Sequence, residues 1–373
     1  MAPCGGLRRL GADDDARHLD GPRRHPGDPR AALPSAAGQA AAGMSTMTPE
    51  ALDALAVRAL RANGAPADIA ATVASVLVEA DVRGVASHGV ARLPNYIARA
   101  RAGLVDAAAT AEIVTDAGGL VVLDGRNGYG PTAAARAVEI AAERAAAHGV
   151  AWVSVRRSNH FGLAAAYSRW LARAGCAAIV LSNAPPAMAA FGGKRPVLGT
   201  NPISMAVPGA EPPVTLDMAT TVVARGKIRR AAAEGAPIAE SLALDADGHP
   251  TTDAGAALDG TLAPIGGPKG YGLALMIELM TGFLAGGAAS TELGESSDFS
   301  GEAGTCFTFI AARTDHVRQP EARLAEIVAM VRGSGEPGEV LMPGEIEDRR
   351  AEASMRDGLA IPAKVLAEIE ALL

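Results

Sequence analysis

The chain has 373 residues, of which 49% are hydrophobic and 20% charged, and a formal net charge of −7. It is long enough for one large domain or two smaller ones with a buried core, and no apolar run reaches the roughly 20 residues that span a bilayer. The acidic balance argues against a nucleic-acid partner, and Cys4, Cys176 and Cys306 lie too far apart for a zinc spacing or a disulfide framework, so a reducing cytoplasm is the expected compartment.

Residues 1–43 carry seven glycines and five prolines and no Val, Ile, Phe, Tyr or Trp. Such a segment buries too little apolar surface to offset its ordering entropy, and disorder is expected there. No apolar stretch follows Arg8-Arg9, so it is not a secretory signal. Met44 and Met47 stand just before the first foldable segment and mark an alternative translation start.

Order is expected from Thr48. Thr48-Pro49-Glu50 reads as an N-cap, a first-turn proline and a first-turn acid, and Leu52, Leu55, Ala59 and Leu60 follow at helical spacing up to Gly64. A second helix runs over about 66–83, with Ile69, Val73, Leu77 and Ala80 on one face. A third helical stretch extends to about Ala102. From about residue 111 the pattern alternates. Strands are expected at 111–115 and 120–124, a helix at 131–148, a strand at 150–155, a helix at 163–174 and a buried strand at 176–181. Short strands at 203–207 and 214–216, a long apolar helix at 269–284, a strand at 307–311 and helices at 320–332 and 362–372 complete the chain. There is no internal repeat. The fold class is α/β (α+β), with helices at both ends of the sequence.

Five segments carry candidate chemistry. Gly128-Tyr129-Gly130-Pro131-Thr132-Ala133 joins a strand to a helix in the layout of a dinucleotide fingerprint, and Arg156-Arg157 ends the next strand where an acid would hold an NAD ribose. A plain helix-start turn with Pro131 at its first position accounts for the same residues and is the preferred reading. In Ser87-His88-Gly89-Val90-Ala91-Arg92-Leu93-Pro94-Asn95-Tyr96 a helix would put His88, Arg92 and Tyr96 on one face, and Arg92 could grip a carboxylate through both guanidinium arms; the alternative is a solvated face, and Pro94 opposes a regular helix. His160, in Arg157-Ser158-Asn159-His160-Phe161-Gly162, sits at a strand-to-helix junction, where an imidazole can transfer protons at neutral pH or simply cap a helix. Asp217, after a short strand, is either a helix cap or a ligand-orienting group. Lys269, one of only four lysines, follows the glycine-rich turn Gly266-Gly267 that opens the long helix, where backbone N–H groups favour an anion. A serine-hydrolase elbow fails because Val85 stands where a glycine is needed. No His, Cys and Glu set has metal-ligand spacing.

Taken in order, these segments are no longer generic. Ser87-His88-Gly89-Val90 with Arg92-Leu93-Pro94 and Tyr96 is followed by Ser158-Asn159-His160-Phe161-Gly162 and Leu198-Gly199-Thr200-Asn201-Pro202. Asp217-Met218-Ala219-Thr220 with Arg225-Gly226-Lys227-Ile228, the run Asp247–Asp253, Gly266–Gly272 and Pro343-Gly344-Glu345 complete the series. From about Thr48 to the C-terminus the chain resembles the malate/L-lactate dehydrogenase family that lacks a Rossmann fold. That family includes sulfolactate and ureidoglycolate dehydrogenases and diketogulonate and piperideine-2-carboxylate reductases. The chain departs from the family pattern at Ala184, at Gly304-Thr305-Cys306-Phe307 and before Pro343.

The resemblance implies a homodimeric oxidoreductase that uses NAD or NADP on a small 2-hydroxy acid/2-oxo acid pair, with neither a nucleic-acid nor a membrane partner. The implied fold is a non-Rossmann, mixed-sheet NAD(P)-binding domain over 111–317. Residues 44–110 and 318–373 would form a helical subdomain beside it. His160 is implied as general acid/base, His88, Arg92 and Tyr96 as the substrate-binding set, and Asn183, Asp217, Met218, Ala219 and Lys269 as cofactor contacts. Reduction of a cyclic-imine carboxylate, and a catalytically silent binding or scaffold role, are the alternatives.

Overall fold

A computed structural model describes residues 43–373. The expectations of disorder over 1–43 and of a later start concern residues 1–42, which lie outside the described residues. The chain enters through a strand, β1 (Met44–Met47), four residues before the point at which sequence periodicity places the first order. Its partner is β13 (Leu359–Pro362), in antiparallel register from Met44 opposite Pro362 to Met47 opposite Leu359. No local pattern announces a strand whose partner lies more than 300 residues away.

Helix α1 (Pro49–Ala62) starts as expected, the Thr48 hydroxyl accepting the Ala51 N–H at 3.2 Å. Helix α2 (Ala67–Val82) follows, then two single 3₁₀ turns at 86–88 and 90–92 and α3 (Leu93–Arg101). The apolar faces of these three helices share one core with Leu359, Ile361, Leu366 and Ile369 from the C-terminal end.

The central sheet has seven strands. β2 (Glu112–Ala117) and β3 (Leu120–Asp124) form a hairpin. Helix α4 (Gly130–His148) then crosses to β4 (Val150–Ser158), which lies parallel to β3. Helix α5 (Ala164–Arg173) and β5 (Cys176–Ser182) follow. Two short strands, β6 (Met188–Ala189) and β7 (Pro196–Leu198), lead into β8 (Ile203–Val207) and β9 (Val214–Met218). Next come α6 (Arg225–Glu234), β10 (Ala243–Leu244), α7 (Ala254–Asp259), β11 (Thr261–Leu262) and α8 (Pro268–Glu278). Strand β12 (Thr305–Arg313) completes the sheet, in the order β2-β3-β4-β12-β5-β8-β9. Helices α9 (Pro320–Arg332), α10 (Glu345–Asp357) and α11 (Ala363–Glu370) finish the chain.

Only β3 and β4 pair in parallel; every other neighbour in the sheet is antiparallel. A doubly wound Rossmann sheet is therefore absent among the described residues. The fingerprint-like turn before α4 serves packing instead. A Cβ on Gly130 would lie 2.3 Å from the His160 carbonyl oxygen and 2.4 Å from that of Asn159. The N-terminus of α4 is thus closed by backbone, with no space for a pyrophosphate.

One face of the sheet packs on α4 and α5 through alternating residues: Val121 and Leu123, Ala151, Val153 and Val155, Phe307 and Phe309, Ala178 and Val180. Leu181 and Ile203 meet α8 and its continuation on the other face. The long apolar helix expected over 269–284 ends its α-helical part at Glu278 and runs on as a π turn over Leu279–Phe283. The Thr281 hydroxyl takes the Ile277 carbonyl at 2.8 Å, and Gly282 passes too close to the Ala288 carbonyl for a Cβ.

Helix α10 was not expected from the sequence, because its charged run has no apolar stripe. Charge holds it instead. Asp348 lies 2.5 Å from Arg169 of α5 and 2.7 Å from Arg83 of α2, which also pairs with Glu79 at 3.0 Å. Arg169 is fully buried. Asp348→Ala leaves two enclosed guanidinium groups without this carboxylate and is expected to lower the unfolding free energy by about 3–5 kcal/mol, measured by urea denaturation.

Candidate active site

The site is built around the segment that follows β4. Arg157, near the end of β4, takes a left-handed φ of +54° where the pairing with β12 shifts register, before Ser158 pairs with Thr305. Asn159 is buried, and its amide donates to Asn127 Oδ1 at 3.0 Å and to the Gly128 carbonyl at 2.9 Å. Phe161 stacks on Phe307 with ring centroids 4.4 Å apart, which anchors the segment in the core. His160, between these two anchors, has its backbone pressed against Gly130 and is half-buried.

The His88–Tyr96 segment is not one helix. Gly89 adopts an extended conformation that separates the two 3₁₀ turns, and α3 begins only at Leu93, with Pro94 in its first turn where no intrahelical donor is lost. The side chains converge nonetheless. The His88 ring lies 5.4 Å from that of His160, roughly stacked, and the Tyr96 ring lies 5.9 Å from it, edge-on. Tyr96 Oη is 2.6 Å from His160 Nδ1 and 2.9 Å from the His160 carbonyl oxygen. The Gly162 N–H reaches Nδ1 at 3.3 Å. Among the described residues nothing hydrogen-bonds to His160 Nε2.

The loop is fastened from below. Asp81, buried on α2, accepts the Val90 N–H at 2.7 Å, and a Cβ on Gly89 would lie 2.1 Å from its carboxylate. Burial raises the Asp81 carboxyl to about 6, against the pull of the Val90 N–H. Arg92 Nε donates to the Ser87 carbonyl at 2.7 Å, and Ser87 Oγ lies 2.9 Å from His88 Nδ1.

Enclosure and charge set the protonation of the two imidazoles. Burial, then the Arg92 cation, pushes His88 down to about 4. Burial, then Arg92, then His88, holds His160 well below the ordinary imidazole range. Both rings are neutral at neutral pH.

A second group of residues gathers at the ends of β5 and β9 and the start of α8. The Asp217 carboxylate accepts the Ala165 N–H at 2.8 Å and so caps α5, the helix that follows His160. It remains solvent-accessible, and the protein wall around it raises its carboxyl above the ordinary value. Met218 packs beside Leu181, Ile203 and Ile277, and Ala219 is half-exposed. Thr220 bonds through its backbone to the Thr200 carbonyl and, through its own carbonyl, to the Ile265 N–H, both at 2.9 Å. This places Asp217–Thr220 beside the Gly266-Gly267 turn and Lys269. Lys269 is exposed and has no hydrogen-bond or ion-pair partner among the described residues.

Asn183 does not present its side chain outward. Its amide nitrogen donates to Glu278 Oε1 at 3.2 Å and to the Ala288 carbonyl at 3.0 Å, and its oxygen accepts the Cys306 N–H at 2.8 Å. Glu278 was not singled out in the sequence, although one carboxylate within an apolar helical run is a signal. It is buried, and it also accepts Asn201 Nδ2 at 2.8 Å and the Ser290 N–H at 2.8 Å. This carboxylate ties β5, the Leu198–Pro202 loop and the segment after α8 into one unit. Arg99 and Asn95 of α3 likewise hold the 296–301 loop, by bonds to the carbonyls of Ser296, Asp298 and Gly301.

The family model for malate/L-lactate dehydrogenase matches residues 47–370. A relative in Chromohalobacter salexigens named (2R)-3-sulfolactate dehydrogenase (NADP(+)) is 40% identical over 86% of this chain and 95% of its own. A Pseudomonas putida relative named Delta(1)-pyrroline-2-carboxylate/Delta(1)-piperideine-2-carboxylate reductase is 32% identical over 83% of this chain and 92% of its own. The solved structure of the sulfolactate dehydrogenase from Methanocaldococcus jannaschii superposes with a TM-score of 0.82 at 35% identity, covering 88% of this chain and 96% of that one.

Gly89→Ala drives a methyl group into the Asp81 carboxylate and displaces the loop that carries His88 and Arg92. The expected cost in stability is about 1–3 kcal/mol, read by thermal denaturation.

Proposed function

The chain belongs to the malate/L-lactate dehydrogenase family, and we propose how its residues carry out the reaction. It is an oxidoreductase that interconverts a small 2-hydroxy acid and its 2-oxo acid. The observation that carries the proposed site is the free Nε2 of His160, enclosed by His88, Tyr96 and the field of Arg92.

Arg92 holds the substrate carboxylate and turns the C2 carbon toward the cofactor, a contribution of positioning. His88 lies beside the same group as a neutral hydrogen-bonding ring. In oxidation, His160 Nε2 takes the proton of the substrate hydroxyl; in reduction it returns a proton to the carbonyl oxygen. The carboxylate bound at Arg92 offsets the cation that helps keep His160 deprotonated, so the proton affinity of His160 rises when substrate arrives.

The cofactor is NAD or NADP. The turn that opens α8 fits such an anionic dinucleotide: Gly266 and Gly267 have open space where a Cβ would stand, and Lys269 is an exposed, unpaired cation at the helix N-terminus. Lys269, Asp217, Met218 and Ala219 would hold it, with Asn183 and Glu278 keeping that wall in place. When bound, a nicotinamide supplies or accepts the hydride.

The chain acts as a homodimer in this reading. Phe283 is 70% exposed and Leu284 51%, next to the uncovered side of β3 and β4 with Leu120 and Trp152, an apolar surface suited to a second copy. Cys176 and Cys306 are free, buried thiols, which fits the cytoplasm. No helix among the described residues is long and apolar enough to cross a membrane. Reduction of a cyclic-imine carboxylate, with nitrogen protonated instead of oxygen, is the second reading, supported by the activity in the name of the Pseudomonas relative.

The test is nicotinamide absorbance with NADH and NADPH against pyruvate, oxaloacetate, sulfopyruvate and piperideine-2-carboxylate. Turnover of an oxo acid is expected; turnover of the imine alone would select the second reading. His160→Asn should abolish turnover while cofactor binding persists, measured by fluorescence titration. Arg92→Lys should chiefly raise KM for the acid, since the forked guanidinium is lost.

A further inference from the structure

Two groups, the Tyr96 hydroxyl and the Gly162 N–H, meet at Nδ1 of His160, and the tautomer decides which of them it pairs with. With Nδ1 unprotonated, it accepts the Gly162 N–H at 3.3 Å and the Tyr96 O–H at 2.6 Å, and the ring proton sits on Nε2. With Nδ1 protonated, it donates to Tyr96 Oη, and the tyrosine proton turns to the His160 carbonyl oxygen at 2.9 Å. The Gly162 N–H then loses its acceptor. The first makes two donors share one in-plane lone pair; the second gives Nδ1–H and Tyr96 O–H an acceptor each, over the two shorter distances, and is the resting one. Only the second leaves a lone pair on Nε2.

We propose that Tyr96 is a positioning residue whose hydroxyl, accepting from Nδ1–H and donating to the carbonyl oxygen of His160, holds the imidazole proton on Nδ1 and so leaves Nε2 free to act as a base. This deepens the reading of His160 given above and assigns Tyr96 a role other than contact with substrate. The burial of Tyr96 supports it. The residue is 6% exposed, and its ring stacks on Tyr129 at 6.1 Å, so the hydroxyl is fixed in place. Enclosure raises the phenol above its ordinary value, so Tyr96 keeps the proton that it donates to the His160 carbonyl. The charged and titratable groups facing His160 are His88 and Arg92 on the 3₁₀ turns, Tyr96 and Arg99 on α3, and Tyr129 at the start of α4.

The oxidative step then balances. The substrate O–H bond breaks as Nε2–H forms, and the C2–H pair leaves as hydride to the oxidised nicotinamide. His160 becomes imidazolium, with Nδ1–H bonded to Tyr96 Oη and Tyr96 O–H bonded to the His160 carbonyl. Without the hydroxyl, Nδ1–H would be a buried donor with no acceptor.

The test uses ¹⁵N-histidine NMR on the full-length protein, with the His160 signal assigned by its loss in His160→Asn. The free wild type should carry the ring proton on Nδ1 at neutral pH. In Tyr96→Phe, His160 should titrate about one to two units lower, because its imidazolium has lost an acceptor. In kinetics, kcat should fall about 10- to 100-fold while KM for the acid stays within about twofold. Titration of His160 at the same pH in both proteins overturns the proposal, as does a wild type resting with its proton on Nε2. A raised KM with kcat kept would make Tyr96 a substrate ligand. The NMR titration needs no substrate, so a wild type that turns over none of the acids tested would remove the reading of the reaction and leave this test standing.

Discussion

The position of His160 rests on a contact between two backbones. Where α4 begins, Gly130 lies so close to the Asn159 and His160 carbonyls that even a methyl group has no space. The carboxamide of Asn159 then reaches back to Asn127 and Gly128. A strand end that would otherwise wander is clamped on both flanks, and the imidazole is presented at a fixed height above the sheet. The Asp81–Val90 bond and the absent side chain of Gly89 set the opposite loop in the same way. Two glycine contacts on separate elements therefore fix the spacing of His88, Tyr96 and His160 before any ligand arrives.

The other half of the site is organised by a buried carboxylate. Among the described residues Glu278 has no ion-pair partner, and it is balanced by the amides of Asn183 and Asn201 and the Ser290 N–H. Three segments distant in sequence share one acceptor, and the π turn that follows Glu278 accommodates the close passage of Gly282. Asp217 couples this half to the other, since it caps α5 immediately downstream of His160. Polar groups thus link the two walls of the site through the body of the protein.

The parts of this arrangement that local physics dictates were legible in the sequence. The Thr48 cap, the 3.6-residue stripes of α1 and α2, and the strand β8 over Ile203–Val207 all stand where periodicity puts them. His88, Tyr96 and His160 were marked as candidates and do converge, although by two broken turns and not by a common helical face. What stayed hidden depends on distant partners. β1 has no signal without β13, α10 is held by charge and not by an apolar stripe, and Asn183 points into a clamp that only the folded chain assembles. Gly130 was ambiguous for a related reason: a glycine needed for a phosphate and one needed for a carbonyl look alike in one dimension.

The pairing of β1 with β13 bears on how the protein is made. Residues 44–47 find their partner at 359–362 only when the more than 300 residues between them have been synthesised. Until then the apolar faces of α1 and α2 lack Leu359, Ile361, Leu366 and Ile369, which complete their core. The N-terminal helices therefore wait in a half-covered state throughout translation, a window in which a chaperone has most to offer.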